Sequence, residues 1–369
     1  MRSNLLGIGE AAPWFRAAAL NGSPNYAFDT AGGRAVLLLF FGSARQAAAK
    51  EALAKVQARR ALFDDRQGVL YGVTIDPGDV AENRIRQQLP GIRFFLDYDG
   101  AVSKAFGAVT EDGRGYRPHW LLLDHVLRVV GRFALAEADA ALAAFATLAA
   151  APPAQDWAPV ITVPNVIEPE LCRELIELYE AGGGGEDSGF MRDEGGKTRL
   201  VLDPRHKVRR DHLIEDPALA RKLNQRIMHR LLPMVLRAFS FQATRVERLL
   251  VGCYEARTGG HFSAHRDNTT KGTAHRRFAV TVNLNAEEYE GGDLRFPEFG
   301  PRLYRAPTGG AVVFGCSLLH EAMPVTKGRR FAFLPFLYDE PGAALRERNA
   351  GFLEGDGSDY RADNDVRVG

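Results

Sequence analysis

Cysteine is scarce in this chain, and so are long apolar runs and any excess of charge. The 369 residues include three cysteines, Cys172, Cys253 and Cys316, an odd and scattered set. Such a set argues against a disulfide framework and, with no export signal visible at the start, it favours a reducing compartment. We therefore expect a cytoplasmic protein.

The charge balance and the hydropathy exclude two classes of partner. The 47 basic and 46 acidic residues nearly cancel, which leaves a formal net charge of +1. This balance gives no reason to expect nucleic acid or a membrane surface as a partner. No apolar run approaches the length of about 20 residues that spans a bilayer. The composition is that of a globular protein long enough for two domains, each with its own core.

An alanine-rich stretch followed by a proline-rich stretch divides the chain. Residues 136–151 carry apolar side chains at helical spacing, which predicts the closing helix of a first domain. The prolines of residues 152–159 (PPAQDWAP) disfavour helix and indicate a linker. The predicted organisation is a first domain over 1–150, a linker over 151–159, a second domain over 160–340 and a polar C-terminal tail over 341–369.

The first domain alternates strand and helix patterns. Residues 36–41 (VLLLFF) and 69–76 predict buried strands of a parallel sheet, and 47–63 predicts a helix between them. In detail the domain resembles the peroxiredoxin branch of the thioredoxin superfamily, which implies an α/β thioredoxin-like fold. The segments that carry this resemblance are 9–15 (GEAAPWF), 95–100 (FLDYDG), 105–107 (AFG) and 117–124 (RPHWLLLD).

The residue that peroxidases of this family need is missing. Peroxide reduction requires a reactive cysteine at the start of the helix that follows the first core strand. Here that segment is 42–50 (GSARQAAAK), and no cysteine precedes Cys172. Ser43 cannot replace it, because a hydroxyl has no redox cycle, and Arg117, at the family's arginine position, is read as a surface charge. We predict a retained scaffold without peroxidase chemistry, which could serve as a docking module for a protein partner.

Histidine and carboxylate residues in the second domain have the spacing of a metal site. His265 and Asp267 lie two apart in 254–267 (YEARTGGHFSAHRD), so on a strand both side chains would share a face. An apolar strand ending in His320 offers a third ligand, and the next strand has Arg330 near its start. Two histidines and one carboxylate are the ligand set of non-haem Fe(II) oxygenases.

These residues resemble the catalytic domain of the prolyl 4-hydroxylase type of 2-oxoglutarate/Fe(II) oxygenases. The resemblance implies an α+β double-stranded β-helix (jelly roll) with flanking helices, for which apolar spacing favours 168–181 and 219–237. The further segments that carry it are 283–285 (NLN), 290–297 (EGGDLRFP) and 307–310 (PTGG).

The resemblance also implies roles for five residues. His265, Asp267 and His320 would hold Fe(II), and Arg330 would pair with the distal carboxylate of the co-substrate 2-oxoglutarate, with Tyr254 as a hydroxyl partner. The implied reaction uses O2 to hydroxylate a C–H bond and releases succinate and CO2. Ascorbate is a candidate reductant for the iron. Halogenating relatives leave the carboxylate position for chloride, so Asp267 favours hydroxylation.

Several neighbouring residues are predicted to lie elsewhere. His261 shares strand parity with His265 and is the nearest competitor for the metal. Arg329 should face away from Arg330, and Arg276 and Arg277 are read as solvated. The glycine-rich residues 182–196 are read as a surface loop, either an active-site lid or slack chain.

Three functions compete at this stage. The first is an oxygenase acting on a prolyl residue, a free amino acid or a small metabolite. The second is a non-catalytic binding protein or scaffold that recruits partners through its redoxin half. The third is a redox enzyme of the peroxiredoxin kind, which the missing cysteine nearly excludes.

Overall fold

A computed structural model describes residues 5–110, 112–153, 155–354 and 366–368 of the chain. Its contacts divide the chain into a first unit, Met1–Asp156 with Pro297–Pro301, and a second unit, Trp157–Phe296 with Arg302–Gly369. The main division falls within the predicted linker, whereas the sequence does not predict that residues 297–301 group with the first unit. Among the described residues, no helix has both the length and the apolar character to cross a bilayer.

The first unit is built on one mixed sheet. Its strands are β1 (Arg16–Ala19), β2 (Tyr26–Ala27), β3 (Ala35–Gly42), β4 (Gly68–Thr74), β5 (Ile92–Leu96), β6 (His119–Leu123) and β7 (Val129–Ala134). Its helices are α1 (Ala47–Ala58), α2 (Gly78–Ala81), α3 (Ala101–Ala105) and α4 (Ala138–Ala150). The strand order is β2-β1-β5-β4-β3-β6-β7, with β3, β4 and β5 parallel and β6 antiparallel to β3.

The central strand β3 is buried on both faces, which explains its unbroken apolar sequence. Leu37 and Leu39 pack into one core cluster, and Val36 and Leu38 pack into another. Because successive side chains along a strand point to opposite faces, the two clusters lie on the two sides of the sheet. The predicted strands and both predicted helices form, although the first helix ends at Ala58 rather than near residue 63.

The second unit is rich in antiparallel strands. The strands that precede the site region are β8 (Val160–Val163), β9 (Glu186–Asp187), β10 (Phe190–Glu194), β11 (Lys197–Val201), β12 (Lys207–Val208), β13 (Arg210–Leu213) and β14 (Arg245–Glu247). The later strands are β15 (Leu250–Glu255), β16 (His261–His265), β17 (Phe278–Asn283), β18 (Glu290–Gly291), β19 (Leu294–Arg295), β20 (Leu303–Tyr304), β21 (Ala311–Gly315), β22 (His320–Ala322), β23 (Val325–Lys327), β24 (Arg329–Phe333), β25 (Phe336–Tyr338) and β26 (Val366–Arg367). The helices are α5 (Pro169–Ala181), α6 (Pro217–Arg226), α7 (Leu232–Phe239) and α8 (Glu340–Asn349).

Two sheets dominate this unit. The larger has the order β26-β14-β25-β17-β24-β15-β13-β9, with β21 paired to β17 and β8 paired to β21. The smaller has the order β12-β16-β22-β19-β20. The site residues described below come from both sheets, so the pairing registers of β15 with β24 and of β16 with β22 position them.

Helices α5 to α7 cover one face of the larger sheet. Leu171 and Leu175 of α5 belong to the same buried cluster as Val251 of β15 and Phe331 of β24. The single helix predicted over 219–237 is two helices, because a π-helical turn separates α6 from α7.

Two regions differ from the sequence prediction. The surface loop predicted over 182–196 contains β9, and β10 begins a hairpin with β11 whose turn uses Gly195 and Gly196 at φ of 58° and 78°. The polar tail predicted over 341–369 contains regular structure. Helix α8 extends into it as far as Asn349, and β26 pairs with β14. Val368 is fully buried in the core of the second unit, and residues 355–365 lie outside the described part of the chain.

Candidate metal centre

Three side chains of the second unit bring their ligand atoms together. The ligand atoms of His265, Asp267 and His320 all lie within 4.8 Å of one another. Nε2 of His265 is 3.4 Å from Oδ1 of Asp267, and Nε2 of His320 is 3.4 Å from Oδ2 of Asp267. Donors held about 2.1 Å from one ion lie about 3 Å apart at neighbouring octahedral corners, so this spacing suits a shared metal ion.

The local structure that places these residues differs in part from the prediction. His265 ends β16 and pairs with His320, which begins β22 instead of ending the preceding apolar strand. Asp267 lies beyond β16, and its backbone N–H donates to the carbonyl of Cys316 at 2.9 Å. A turn, not the alternation of a strand, therefore sets the carboxylate beside the imidazoles.

Backbone carbonyls fix the tautomer of both histidines. Nδ1–H of His265 donates to the carbonyl of Ser263 at 2.8 Å, and Nδ1–H of His320 donates to that of Leu318 at 3.0 Å. Since a carbonyl oxygen only accepts, Nδ1 carries the proton and the Nε2 lone pair is free for a metal. The residues therefore fit an ion without rearrangement.

The protonation states also suit a metal. Burial lowers the pKa of His265 to about 4, and the neighbouring His320 acts in the same direction. Burial alone would raise the pKa of Asp267, but the electrostatic influence of His320, followed by that of His265, holds it below its usual range. Metal binding requires a neutral imidazole and an ionised carboxylate, and these are the forms of His265 and Asp267 at neutral pH.

Aromatic rings surround the two histidines. The ring of Phe262 stacks on His265 with centroids 3.5 Å apart, and the ring of Phe314 lies 4.5 Å from that of His320. These rings limit water on their side of the site.

Arg330 offers unused donors deep in the protein. It is 3% exposed, and its Nε and Nη1 atoms have no hydrogen-bond partner among the residues that the structure describes. The hydroxyl of Tyr289 is likewise buried without a hydrogen-bond partner in that part of the chain. A buried cation with unpaired donors is costly, so a ligand carboxylate is the natural partner for this guanidinium.

Tyr254 lies between two guanidinium groups. It pairs with Arg330 across β15 and β24, and the Arg330 guanidinium carbon is 5.1 Å from the centre of the tyrosine ring. The Arg209 guanidinium carbon is 5.6 Å from the same ring, and Nη1 of Arg209 donates to the Tyr254 hydroxyl at 3.3 Å. The predicted co-substrate residues Tyr254 and Arg330 are thus adjacent, and the hydroxyl already has one protein partner.

His261 does not join the metal group. Its Nδ1–H donates to the carbonyl of Gly259 at 2.8 Å, and its other ring nitrogen lies 3.4 Å from the carbonyl of Arg205. The register of β16 shifts between Phe262 and His265, which removes the parity that suggested His261 as a competitor.

Sequence reasoning missed a basic cluster next to this site. Lys207, Arg209 and Asp211 lie close together, and the hydroxyl of Ser188 bonds to all three. The spacing Lys-x-Arg-x-Asp was the available signal in the sequence, although the structure divides these residues between β12, β13 and the residue that joins them.

The prediction that Arg276 is solvated is wrong. Arg276 is 8% exposed, and its Nε and Nη2 donate to Glu247 at 3.0 and 2.7 Å. His275 is fully buried and donates to the same carboxylate at 2.8 Å. No local pattern reveals a partner 29 residues away.

In the first unit, the segment 42–50, where the family's reactive cysteine was expected, begins with a hydrogen-bonded serine. The hydroxyl of Ser43 donates to Asp76 at 2.6 Å, and Arg117 is exposed. Cys172, Cys253 and Cys316 are buried in the second unit.

Comparison with known proteins agrees with both halves of this description. Residues 249–338 match the 2OG-Fe(II) oxygenase superfamily, and residues 8–130 match the AhpC/TSA family. A PKHD-type hydroxylase of Stutzerimonas stutzeri is 30% identical over 168 residues, which are 39% of this chain and 72% of that protein. The PKHD-type hydroxylase PiuC of Pseudomonas aeruginosa is 30% identical over 173 residues, covering 45% of this chain and 70% of that protein.

The solved prolyl hydroxylase from Trichoplax adhaerens, in complex with a hypoxia inducible factor peptide, covers 51% of this chain and 86% of its own. Its 17% identity and TM-score of 0.38 are too low to carry an argument. The two PKHD-type hydroxylases are each 30% identical to this chain, which covers more than two thirds of their length. The chain therefore belongs to the PKHD-type hydroxylases of the 2OG-Fe(II) oxygenase superfamily, with an AhpC/TSA-family unit at its N-terminal end.

Proposed function

We propose that the second unit hydroxylates a C–H bond of its substrate with iron held by His265, Asp267 and His320. The observation that carries the assignment is the convergence of three ligand groups in the same unit as a buried arginine that has unused donors among the described residues. The overall reaction converts substrate R–H, O2 and 2-oxoglutarate into R–OH, succinate and CO2.

Each protein residue has a defined task in this proposal. Bound Fe(II), with 2-oxoglutarate and O2, supplies the oxidation. The carbonyls of Ser263 and Leu318 hold the two imidazoles in the ligating tautomer. Arg330 holds the distal carboxylate of 2-oxoglutarate, since a planar guanidinium can donate two parallel hydrogen bonds to a carboxylate.

The fold that we propose for this unit is a double-stranded β-helix, or jelly roll. Its support is the two antiparallel sheets, of which the smaller carries His265 and His320 and the larger carries Tyr254 and Arg330. Co-substrate bound between Arg330 and the metal would then span the two sheets.

The first unit is proposed to be a scaffold or docking module for a protein partner. The support is a complete thioredoxin-like sheet without a cysteine at the position that peroxidases use. The cytoplasmic location and the use of ascorbate stay predictions.

The test is succinate production by the purified full chain, with and without Fe(II). Iron-dependent formation of succinate from 2-oxoglutarate supports the hydroxylase, and none at all would favour the non-catalytic binding protein. Mass spectrometry of cell extract incubated with enzyme, iron and 2-oxoglutarate then identifies the substrate by the gain of one oxygen. A prolyl residue in a protein and a free small molecule are the two classes that this measurement separates.

A further inference from the structure

Lys207 is a buried lysine beside two arginines. It is 7% exposed, and its ammonium donates to two neutral acceptors, the hydroxyl of Ser188 and the carbonyl of Gly189, both at 2.6 Å. Within the described part of the chain, no carboxylate oxygen lies in ion-pair contact with this ammonium. A buried ammonium normally has a counter-charge, so this arrangement needs an explanation.

Two arginines next to Lys207 share one carboxylate. Arg209 donates to Asp211 through Nε at 2.6 Å and through Nη2 at 2.7 Å. Nη2 of Arg248 lies 3.5 Å from the same carboxylate, outside good hydrogen-bonding distance. The other buried carboxylate of the neighbourhood, Glu247, is bound by Arg276 and His275. When Lys207 is protonated, the cluster of Lys207, Arg209 and Arg248 carries three positive charges against one negative charge. A bound anion would favour that protonated form.

The electrostatics of the cluster show the same imbalance. Burial lowers the pKa of Lys207 to about 6, with the charge of Arg209 acting in the same direction and Asp211 opposing both. Burial lowers the pKa of Arg248 to about 10, with Arg276 next in importance. An added anion would relieve both effects.

The cluster borders the metal group. The ammonium of Lys207 lies 4.8 Å from the centre of the Phe262 ring, which stacks on the ring of the proposed ligand His265. On its other side the cluster reaches Tyr254 through the hydrogen bond from Arg209. Arg330 also contacts the Tyr254 ring, so two positively charged sites adjoin this tyrosine: Arg330 and the cluster that contains Arg209.

We infer that the substrate carries an oxyanion, a carboxylate or a phosphate, which docks against Lys207, Arg209 and Arg248 while 2-oxoglutarate uses Arg330. This inference rests on the proposed function, since it assigns the cluster of Lys207, Arg209 and Arg248 to the substrate of that reaction. It selects acidic small molecules, or peptides with an acidic group near the reacting carbon, over uncharged segments.

The test uses inorganic phosphate and ¹³C-labelled acetate as probes of the full chain loaded with Mn(II) and saturating 2-oxoglutarate. Mn(II) is paramagnetic, so it speeds the relaxation of ³¹P or ¹³C nuclei that bind near it. The variants are Lys207→Gln and Arg248→Gln, each of which removes one charge of the cluster. The control is Lys222→Gln, because Lys222 is an exposed lysine of α6 paired with Glu174.

We expect saturable relaxation enhancement in the unaltered protein and in Lys222→Gln, and at least a several-fold loss of probe affinity in both cluster variants. The stronger of the two probes indicates which oxyanion the site prefers. No saturable enhancement with either probe would overturn the inference. So would enhancement that persists in both cluster variants, which would indicate a probe bound to the metal itself.

Competition gives a second decisive result. In a parallel titration that begins without 2-oxoglutarate, displacement of the probes by added 2-oxoglutarate would assign the cluster to the co-substrate and overturn the inference, while the hydroxylase proposal would stand. Titration calorimetry of Mn(II) and 2-oxoglutarate is run first. Failure of these two to bind would overturn the proposed function, and the inference with it.

Discussion

Arg329 and Arg330 are neighbours in the chain, yet they occupy opposite faces of β24. Arg330 is 3% exposed beside Tyr254, whereas Arg329 is exposed and pairs with Glu180 at 2.5 Å. The alternation of a regular strand separates them, and the pairing of Tyr254 with Arg330 fixes the register.

This separation predicts different effects for the two arginines on co-substrate binding. Arg330→Ala should weaken 2-oxoglutarate binding by about 2–5 kcal/mol, because it leaves a desolvated carboxylate unpaired. That corresponds to a loss of roughly thirty-fold or more, since each 1.4 kcal/mol is about tenfold. Titration calorimetry with Mn(II) in place of Fe(II) measures the affinity without turnover. Arg329→Ala is the matched control and should bind 2-oxoglutarate almost normally. The reverse pattern would contradict the strand register.

The metal assignment predicts a contrast between two histidines four residues apart. His265→Ala, Asp267→Ala and His320→Ala should each abolish succinate formation, because losing one of three protein ligands removes both affinity and geometry. His261→Ala should keep activity and metal content, since both ring nitrogens of His261 face backbone carbonyls. Metal analysis of the purified variants accompanies the activity assay. Near-normal turnover by Asp267→Ala would contradict the proposed ligand set.

The buried carboxylate of Glu247 predicts how stability depends on pH. Burial would raise its pKa, but the charge of Arg276 and the hydrogen bond from His275 hold it well below the usual range. A depressed pKa means that its stabilising effect is complete above the unfolded-state pKa of about 4.3 and is lost as the pH falls through the folded value. Glu247→Gln should lower the free energy of unfolding by about 3–5 kcal/mol at neutral pH, because it leaves Arg276 without its counter-charge.

Urea unfolding at several pH values measures this effect. The gap between the unaltered protein and Glu247→Gln should narrow as the pH falls below about 4.3, where Glu247 becomes protonated in the unfolded chain while it stays ionised in the folded protein. Glu290→Gln is the control, because Glu290 and its partner Lys327 are both exposed and their pairing should matter little. A gap that stays constant on acidification would show that the charge of Glu247 does not stabilise the fold.

Sequence patterns predicted much of this structure because a strand or helix depends largely on the pattern of apolar residues within its own segment. The apolar run at 36–41 forms β3 since both faces of that strand are buried, and the apolar spacing at 168–181 forms α5. The separate faces of Arg329 and Arg330 follow from strand alternation alone. Motif spacing named the three residues whose ligand atoms the structure brings together, although their role as iron ligands stays a prediction.

The parts that could not be predicted depend on contacts between distant residues. Arg276 can be buried because its guanidinium donates to the carboxylate of Glu247. The sequence around either residue gives no sign of this pairing. Asp267 is placed by a backbone hydrogen bond to Cys316 that no spacing rule reveals. Polar sequence near the C-terminus suggested a tail, yet β26 completes the edge of the larger sheet by pairing with β14.

The last prediction concerns the first unit, where Ser43 and Asp76 occupy the region in which peroxidases of the family activate a thiol. The full chain should consume no hydrogen peroxide in a thiol-dependent assay, because its three cysteines are buried in the second unit.

Ser43→Cys should not restore the activity. The Asp76 carboxylate, 2.6 Å from the serine hydroxyl, would raise the pKa of a thiol at that position and disfavour the reactive thiolate. Alkylation rates measured against pH should therefore show the new thiol reacting with a midpoint above the free-cysteine value of about 8.5. The unaltered protein supplies the background rate of the buried cysteines. Rapid alkylation of Ser43→Cys near pH 6, or steady peroxide consumption by either protein, would show that this unit retains the electrostatics of a peroxidase.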